Sequence, residues 1–274
     1  MAMASKSFTS TRSLNMSETR HGKTSSPSCT SQCICNRFQS LAHLALSSLG
    51  ASVEELGWPS VIDYASHEPT KREAFESGFY KLLALQLLGR KLHKRADFQP
   101  NEKDGLYAIE ALALPVSLRF KYHYDSNRDT NRLDKPEWYL TYILNIAHDH
   151  RQFFDTVVQR LLSKSEFKSV SAWDDFVLTL LPILSRKIRK TVPQLLSRPS
   201  LFAHLIYQTL EFDSALVGEG FKIESTSAAE TSDEPWRGIS EVILGNPGWF
   251  NAWLQAEKKC QFPSTILTKL PLNQ

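Results

Sequence analysis

The chain has 274 residues, 42% of them hydrophobic, and a formal net charge of +3, a size that suits one large domain or two ordinary ones with a sizeable core. The charge is uneven: residues 1–38 carry Lys6, Arg12, Arg20, Lys23 and Arg37 against Glu18 alone, a net +4, which leaves −1 for the rest. A body without net positive charge lacks the electrostatic footprint of phosphate-backbone binding, so nucleic acid is not an expected partner.

Residues 1–38 are rich in Ser and Thr, poor in acids and without sustained apolar periodicity, and they read as a disordered head. Their composition superficially suits a mitochondrial presequence, but the apolar residues are too sparse for an amphipathic face. Cys29, Cys33 and Cys35 fall here and Cys260 far away. A C-x3-C-x-C spacing with no histidine at ligand distance is neither a zinc knuckle nor a disulfide framework, so no metal is expected. No uncharged run reaches the roughly 18 residues of a membrane-spanning helix; the best candidates, around 177–185 and 199–210, are of core length.

The ordered body is expected over 39–218, beginning at Leu41. Leu41, Leu44, Ala45 and Leu49 hold helical spacing, and Gly50 is placed to end that helix. Pro69 and the capping-box pattern Thr70-Lys71-Arg72-Glu73 open a second helix to about Ala96, with Phe75, Phe79, Leu82, Leu83 and Leu92 on one face. A third helix follows Asn101, carrying Leu106, Ile109, Ala113, Val116 and Phe120. Here two periods compete. Val116, Leu118, Phe120, Tyr122 and Tyr124 alternate with polar residues, and Pro115 disfavours a helix, so an extended segment after Leu114 is the alternative.

After a polar loop at 125–135, Pro136 restarts the chain. Leu140, Ile143, Ala147, His150, Phe154, Val157 and Leu161 form one apolar stripe over 137–163. Ser171 with Asp174 caps the next helix, marked by Trp173, Phe176, Val177, Leu180, Leu184, Ile188, Val192 and Leu195, with Pro182 and Pro193 predicting a kink or a break. Pro199 opens a helix that ends by Gly218, with Leu201, Leu205, Tyr207 and Leu210 on or near its buried side. A flexible polar loop is expected over 219–236, and a terminal helix with its tail over 237–274, interrupted near Asn246-Pro247-Gly248.

Chemistry is thinly represented. His148-Asp149 is the sharpest enzyme-like signal, because helical metal-dependent phosphohydrolases use a His-Asp pair, and His123 with Asp174, Asp175 or Asp213 could complete the ligand set. A dipeptide recurs by chance, however, and His148 and His150 lie about 200° apart around a helix. Arg186, Lys187, Arg189 and Lys190, like Arg90, Lys91, Lys94 and Arg95, read as solvated helix faces, with acidic lipid or an acidic protein segment as the functional alternative. The basic head could likewise serve as an adaptor for RNA or anionic lipid. There is no glycine-rich phosphate loop and no G-x-S-x-G elbow. No catalytic, cofactor-binding or metal-binding residue is assigned, and the partner-binding residues are left open.

Several blocks in fixed order carry a resemblance: FYKLLALQLLGRKL at 79–92, RFKYHYDSNRDTNRLDKPEW from Arg119, AWDDFVLTLLPILSRKI at 172–188, LFAHLIYQTLEFDSAL at 201–216 and WFNAWLQAEKK at 249–259. Together the chain resembles the RINT/TIP family, large subunits of the complex that tethers Golgi-derived vesicles at the endoplasmic reticulum, over about 41–259. The resemblance implies an all-α fold, a rod of stacked helical bundles of the exocyst-like type, with no catalysis and no cofactor. It implies binding to sister tether subunits and endoplasmic-reticulum SNAREs, and through them to coated vesicles. It also implies a cytoplasmic, peripheral location on the cytosolic face of the endoplasmic reticulum. Members of that family are longer, with a leucine-rich coiled-coil region before this part and further bundles after it, so the chain reads as a fragment or short isoform.

Overall fold

The computed structural model describes residues 29–95, 105–221 and 237–261. Every regular element among them is helical, so the fold is all-α. The chain divides into a short unit, Met1–Gln39, and a body, Ser40–Gln274. Of the short unit, the described residues form the beginning of α1 (Cys29–Glu54), which places Cys29, Cys33 and Cys35 on a helix and starts it upstream of Leu41. No proline or glycine lies between Pro27 and Gly50, so nothing in the sequence stops the helix from extending. The expected disorder of residues 1–28 lies outside the described residues, as do Asn101, the loop 222–235 and the tail from 262.

Gly50 does not end α1. Ala45, Leu49 and Val53 are buried in succession, and their packing carries the helix past it. The stop is Gly57, whose φ of 88° is open to glycine at little cost. Its N–H donates to the Glu54 carbonyl, and the N–H of Trp58 donates to Val53, the paired bonds of a Schellman motif. Trp58 then turns inward, its indole donating to the Leu112 carbonyl at 2.9 Å.

After a 3-10 turn at Tyr64–Ser66, α2 (Pro69–Arg95) begins at its proline. Thr70 is therefore inside the helix and not its cap; the N–H groups of Lys71 and Arg72 return to the Glu68 carbonyl instead. α3 (Tyr107–Tyr124) runs unbroken through Pro115, so the extended alternative is not adopted. Burial of Ile109, Leu112, Ala113, Val116 and Phe120 along one face offsets the single backbone hydrogen bond lost at the proline.

The stripe expected over 137–163 appears as α4 (Pro136–Phe153), a π-helical turn at Phe154–Val158 and α5 (Gln159–Ser163). The wider turn shifts the buried face by one residue, so Phe153 and Phe154, Val157 and Val158, and Leu161 and Leu162 are all buried. α6 (Ala172–Leu195) is capped by Ser171, whose hydroxyl accepts from the Asp174 N–H at 3.3 Å. It is not segmented at Pro182 or Pro193, both of which lie on its exposed side, away from the core.

α7 (Pro199–Gly218) buries Phe202, Leu205, Ile206, Thr209, Phe212, Asp213 and Leu216, while Tyr207 and Leu210 are exposed. The face is thus rotated from the one expected. α8 (Glu241–Leu244) and α9 (Pro247–Gln261) are separated where Asn246 caps α9 by accepting from the N–H groups of Gly248 and Trp249. In the body, α3 packs on α2 and α6, α4 on α6 and α7, and α7 on α9. The centre is aromatic: Trp58 sits 4.4 Å from His150 and 6.0 Å from Phe176 by ring centroids, and Phe154 stacks on Phe176 at 4.1 Å.

Candidate functional site

The residues considered for metal chemistry are not brought together. His148 is 64% exposed in its side chain and meets Glu219 at 2.9 Å, beside Arg151, which donates to the Glu219 carbonyl and lies over the Trp173 ring. His150 faces the opposite way, buried against Trp58. Burial lowers its pKa below the ordinary value, with the Pro59 backbone and Asp149 opposing. His123 lies at the end of α3, where its carbonyl accepts from Thr130.

Asp174 lies in the first turn of α6, and Asp175 and Asp213 are committed to backbone. Asp175 accepts the N–H of Leu106 at 3.1 Å and so caps α3 from α6. Gln86 completes that junction, donating to the Gly105 carbonyl and accepting from the Tyr107 N–H. Asp213 accepts from the N–H groups of Ile239 and Ser240 at 2.7 and 2.9 Å. Burial raises the pKa of both aspartates, against the N–H bonds they receive. Among the described residues no group of three or more His, Cys, Asp or Glu could hold a metal ion.

The densest polar structure is the loop 125–135 with the start of α4. Thr130 donates to His123, and Asn131 to the Ser126 carbonyl. Arg132 forks onto Asp134 at 2.9 and 2.7 Å. From α6, Lys190 reaches Asp125 at 2.8 Å and Lys187 donates to the Asn131 side chain. Lys187 is only 6% exposed, contrary to the solvated face expected for the Arg186–Lys190 cluster, and burial lowers its pKa, with Asp125 opposing and Lys190 adding. From α7, His204 meets Glu137 at 3.2 Å. The loop is thereby tied to two helices.

Beside it, Tyr124, Glu137, Trp138, Thr141, Tyr142 and Asn145 line a shallow depression. Pro136 opens α4 as its first residue and is buried; Trp138 is partly exposed, its carbonyl accepting from the Tyr124 hydroxyl. Sequence reading missed the roles of Gln86, Asp175, Lys187 and Asp213, because a polar residue on a helix gives no local sign of a partner far away in the chain.

Fold and site together define an all-α protein in which Gln86, Asp175, Lys187 and Asp213 tie helices to the segments beside them. The chain belongs to the RINT-1/TIP-1 family, which residues 107–263 match. It is 33% identical over 108 residues to the RINT1-like protein of Drosophila melanogaster, covering 39% of this chain and 15% of that protein. It is 22% identical over 161 residues to protein transport protein tip20 of Schizosaccharomyces pombe, covering 58% of this chain and 20% of that protein. The matched parts thus span a fifth or less of these relatives. No solved structure matches the chain.

Proposed function

We propose that this chain serves vesicle tethering between the Golgi and the endoplasmic reticulum, as a non-catalytic helical scaffold peripheral to the endoplasmic-reticulum membrane. The observation that carries the reading is the family match across 107–263, which spans α3 to α9 and includes the stitched loop at 125–135. Among the described residues no helix is long and apolar enough to cross a membrane, which suits attachment through partners. The partners proposed are sister tether subunits and endoplasmic-reticulum SNAREs. Its mechanism is multivalent: modest contacts on separate helix faces add through effective concentration to hold a vesicle within SNARE reach. The metal-hydrolase alternative gains no support from the dispersed His148, Asp149 and His123.

The reading is tested by depleting the chain acutely and following a retrieval cargo from Golgi to endoplasmic reticulum. Slowed return, restored by re-expression, is expected. Unchanged return after complete loss would sink it.

A further inference from the structure

α3 is apolar on two faces. Its inner face is buried, while Leu114, Leu118 and Tyr122, spaced by four, are 54%, 59% and 52% exposed on the other. Ala111, half-buried, extends the same line. At 1.5 Å per residue the three exposed side chains form a ridge about 12 Å long, of the kind that fits the groove between i, i+4 rows of a facing helix. An apolar stripe along a helix normally packs against another element.

The described elements leave this ridge open. The segment 96–104 that leads into α3 is ADFQPNEKD, mostly polar.

The charges around the ridge select the partner. Arg119 lies about 100° from Leu118 around the helix on one side and Lys121 about 60° on the other. Arg128 stacks over the Tyr122 ring at 4.2 Å, holding a third cation at the same end. Among the described residues none of the three forms an ion pair with an acidic side chain; Asp129 follows Arg128, Asp125 at the end of α3 is held by Lys190, and Glu110 lies near the opposite end. Two copies face to face would offer three cations a single acid, Glu110, at the far end, so a second copy complements this face less well than an acidic helix does. A broad anionic bilayer suits a ridge one helix wide, with Glu110 beside it, less well than a helix does.

We propose that the outer face of α3, the line Leu114–Leu118–Tyr122, seats an amphipathic helix of a separate polypeptide whose flanking residues are acidic where they meet Arg119, Lys121 and Arg128. The inference deepens the scaffold reading and rests on it only in that a scaffold needs a docking face. Helix-in-groove recognition of this kind places apolar anchors at i, i+4 and i+7.

The test titrates the full chain against two labelled synthetic amphipathic helices with the same leucine stripe, one flanked by glutamates and one by lysines. Fluorescence anisotropy reads binding, and circular dichroism verifies folding of each variant. The acidic peptide is expected to bind and to weaken with salt. Leu118→Asp, at an exposed position, should lose roughly tenfold or more in affinity, as for a central interface anchor. Arg119→Glu with Lys121→Glu should turn the preference to the lysine peptide.

No binding, equal binding of both peptides, or binding unmoved by Leu118→Asp would overturn the proposal. So would self-association in sedimentation, or attachment to phosphatidylserine–phosphatidylcholine vesicles, if Leu118→Asp abolished it while the peptides failed to bind. A Leu118→Asp chain that still supports cargo return would sink the docking face and leave the scaffold reading standing; a wild-type chain that binds the acidic peptide but proves dispensable for return would do the reverse.

Discussion

The Asp213 carboxylate and the backbone of Gly238 are in such close register that a Cβ at position 238 would fall 2.5 Å from the Asp213 Oδ2. Gly238 also holds a φ of 103°. The next two residues, Ile239 and Ser240, give their N–H groups to the same carboxylate, so one buried side chain on α7 fastens the segment leading into α8 and α9. Gly238→Ala meets both backbone strain and a steric clash, and should cost about 1–3 kcal/mol in denaturant unfolding. Gly50→Ala, with nothing within 4 Å of the added Cβ in mid-helix, should instead stabilise by about 0.5–1 kcal/mol. Equal effects of the two substitutions would contradict this account.

The aromatic centre should be the stability bottleneck. Phe154 and Phe176 are fully buried and stacked, so Phe176→Ala is expected to cost about 3–5 kcal/mol. Chemical denaturation checks this, and a loss below about 1 kcal/mol would mean that the core is not packed as described.

Lys187 should behave as a positioning cation. A buried charge gives little net stability, so Lys187→Met is expected to leave global unfolding nearly unchanged or slightly improved. The loop 125–135, deprived of the bond from Lys187 to Asn131, should be cut faster by limited proteolysis. Unaltered cleavage would show that Lys190, Thr130 and Arg132 hold the loop without it.

Acid should weaken the fold partly through His150. Its pKa is lowered by burial, so as pH falls below 6.5 the unfolded chain takes up the proton first. The stability it contributes is full above that value and is lost as pH falls through the lowered folded value. Asp175 and Asp213, raised by burial, work in the opposite sense, their contribution being present at low pH and lost as they ionise. His150→Phe keeps a ring against Trp58 and should flatten the stability profile from about pH 7.5 to about pH 5. Parallel profiles for variant and wild type would assign the acid sensitivity elsewhere.

Helix positions were largely legible because the apolar spacing is strong. The stripe from Leu140 to Leu161 and the Ser171 cap appear where the residues put them. What was not legible follows from tertiary context. Gly50 looked like a stop, but Leu49 and Val53 are buried on either side of it, and the chain waits for Gly57. The alternation from Val116 to Tyr124 suggested a strand; in α3 it records apolar residues on two faces, Val116 and Phe120 inward, Leu118 and Tyr122 outward. The cluster Arg186–Lys190 gave no sign that Lys187 would be buried, since its partners, Asn131 and Tyr139, lie in another part of the chain.

The central claim is that the chain works by binding the tethering machinery, and affinity capture tests it most directly. The full chain, tagged, is recovered from gently solubilised membranes beside a Phe176→Asp variant whose core is broken, and both are read by quantitative mass spectrometry. Enrichment of tether subunits and endoplasmic-reticulum SNAREs with the wild type over the variant is the result this account predicts. Chaperones alone with both would contradict it.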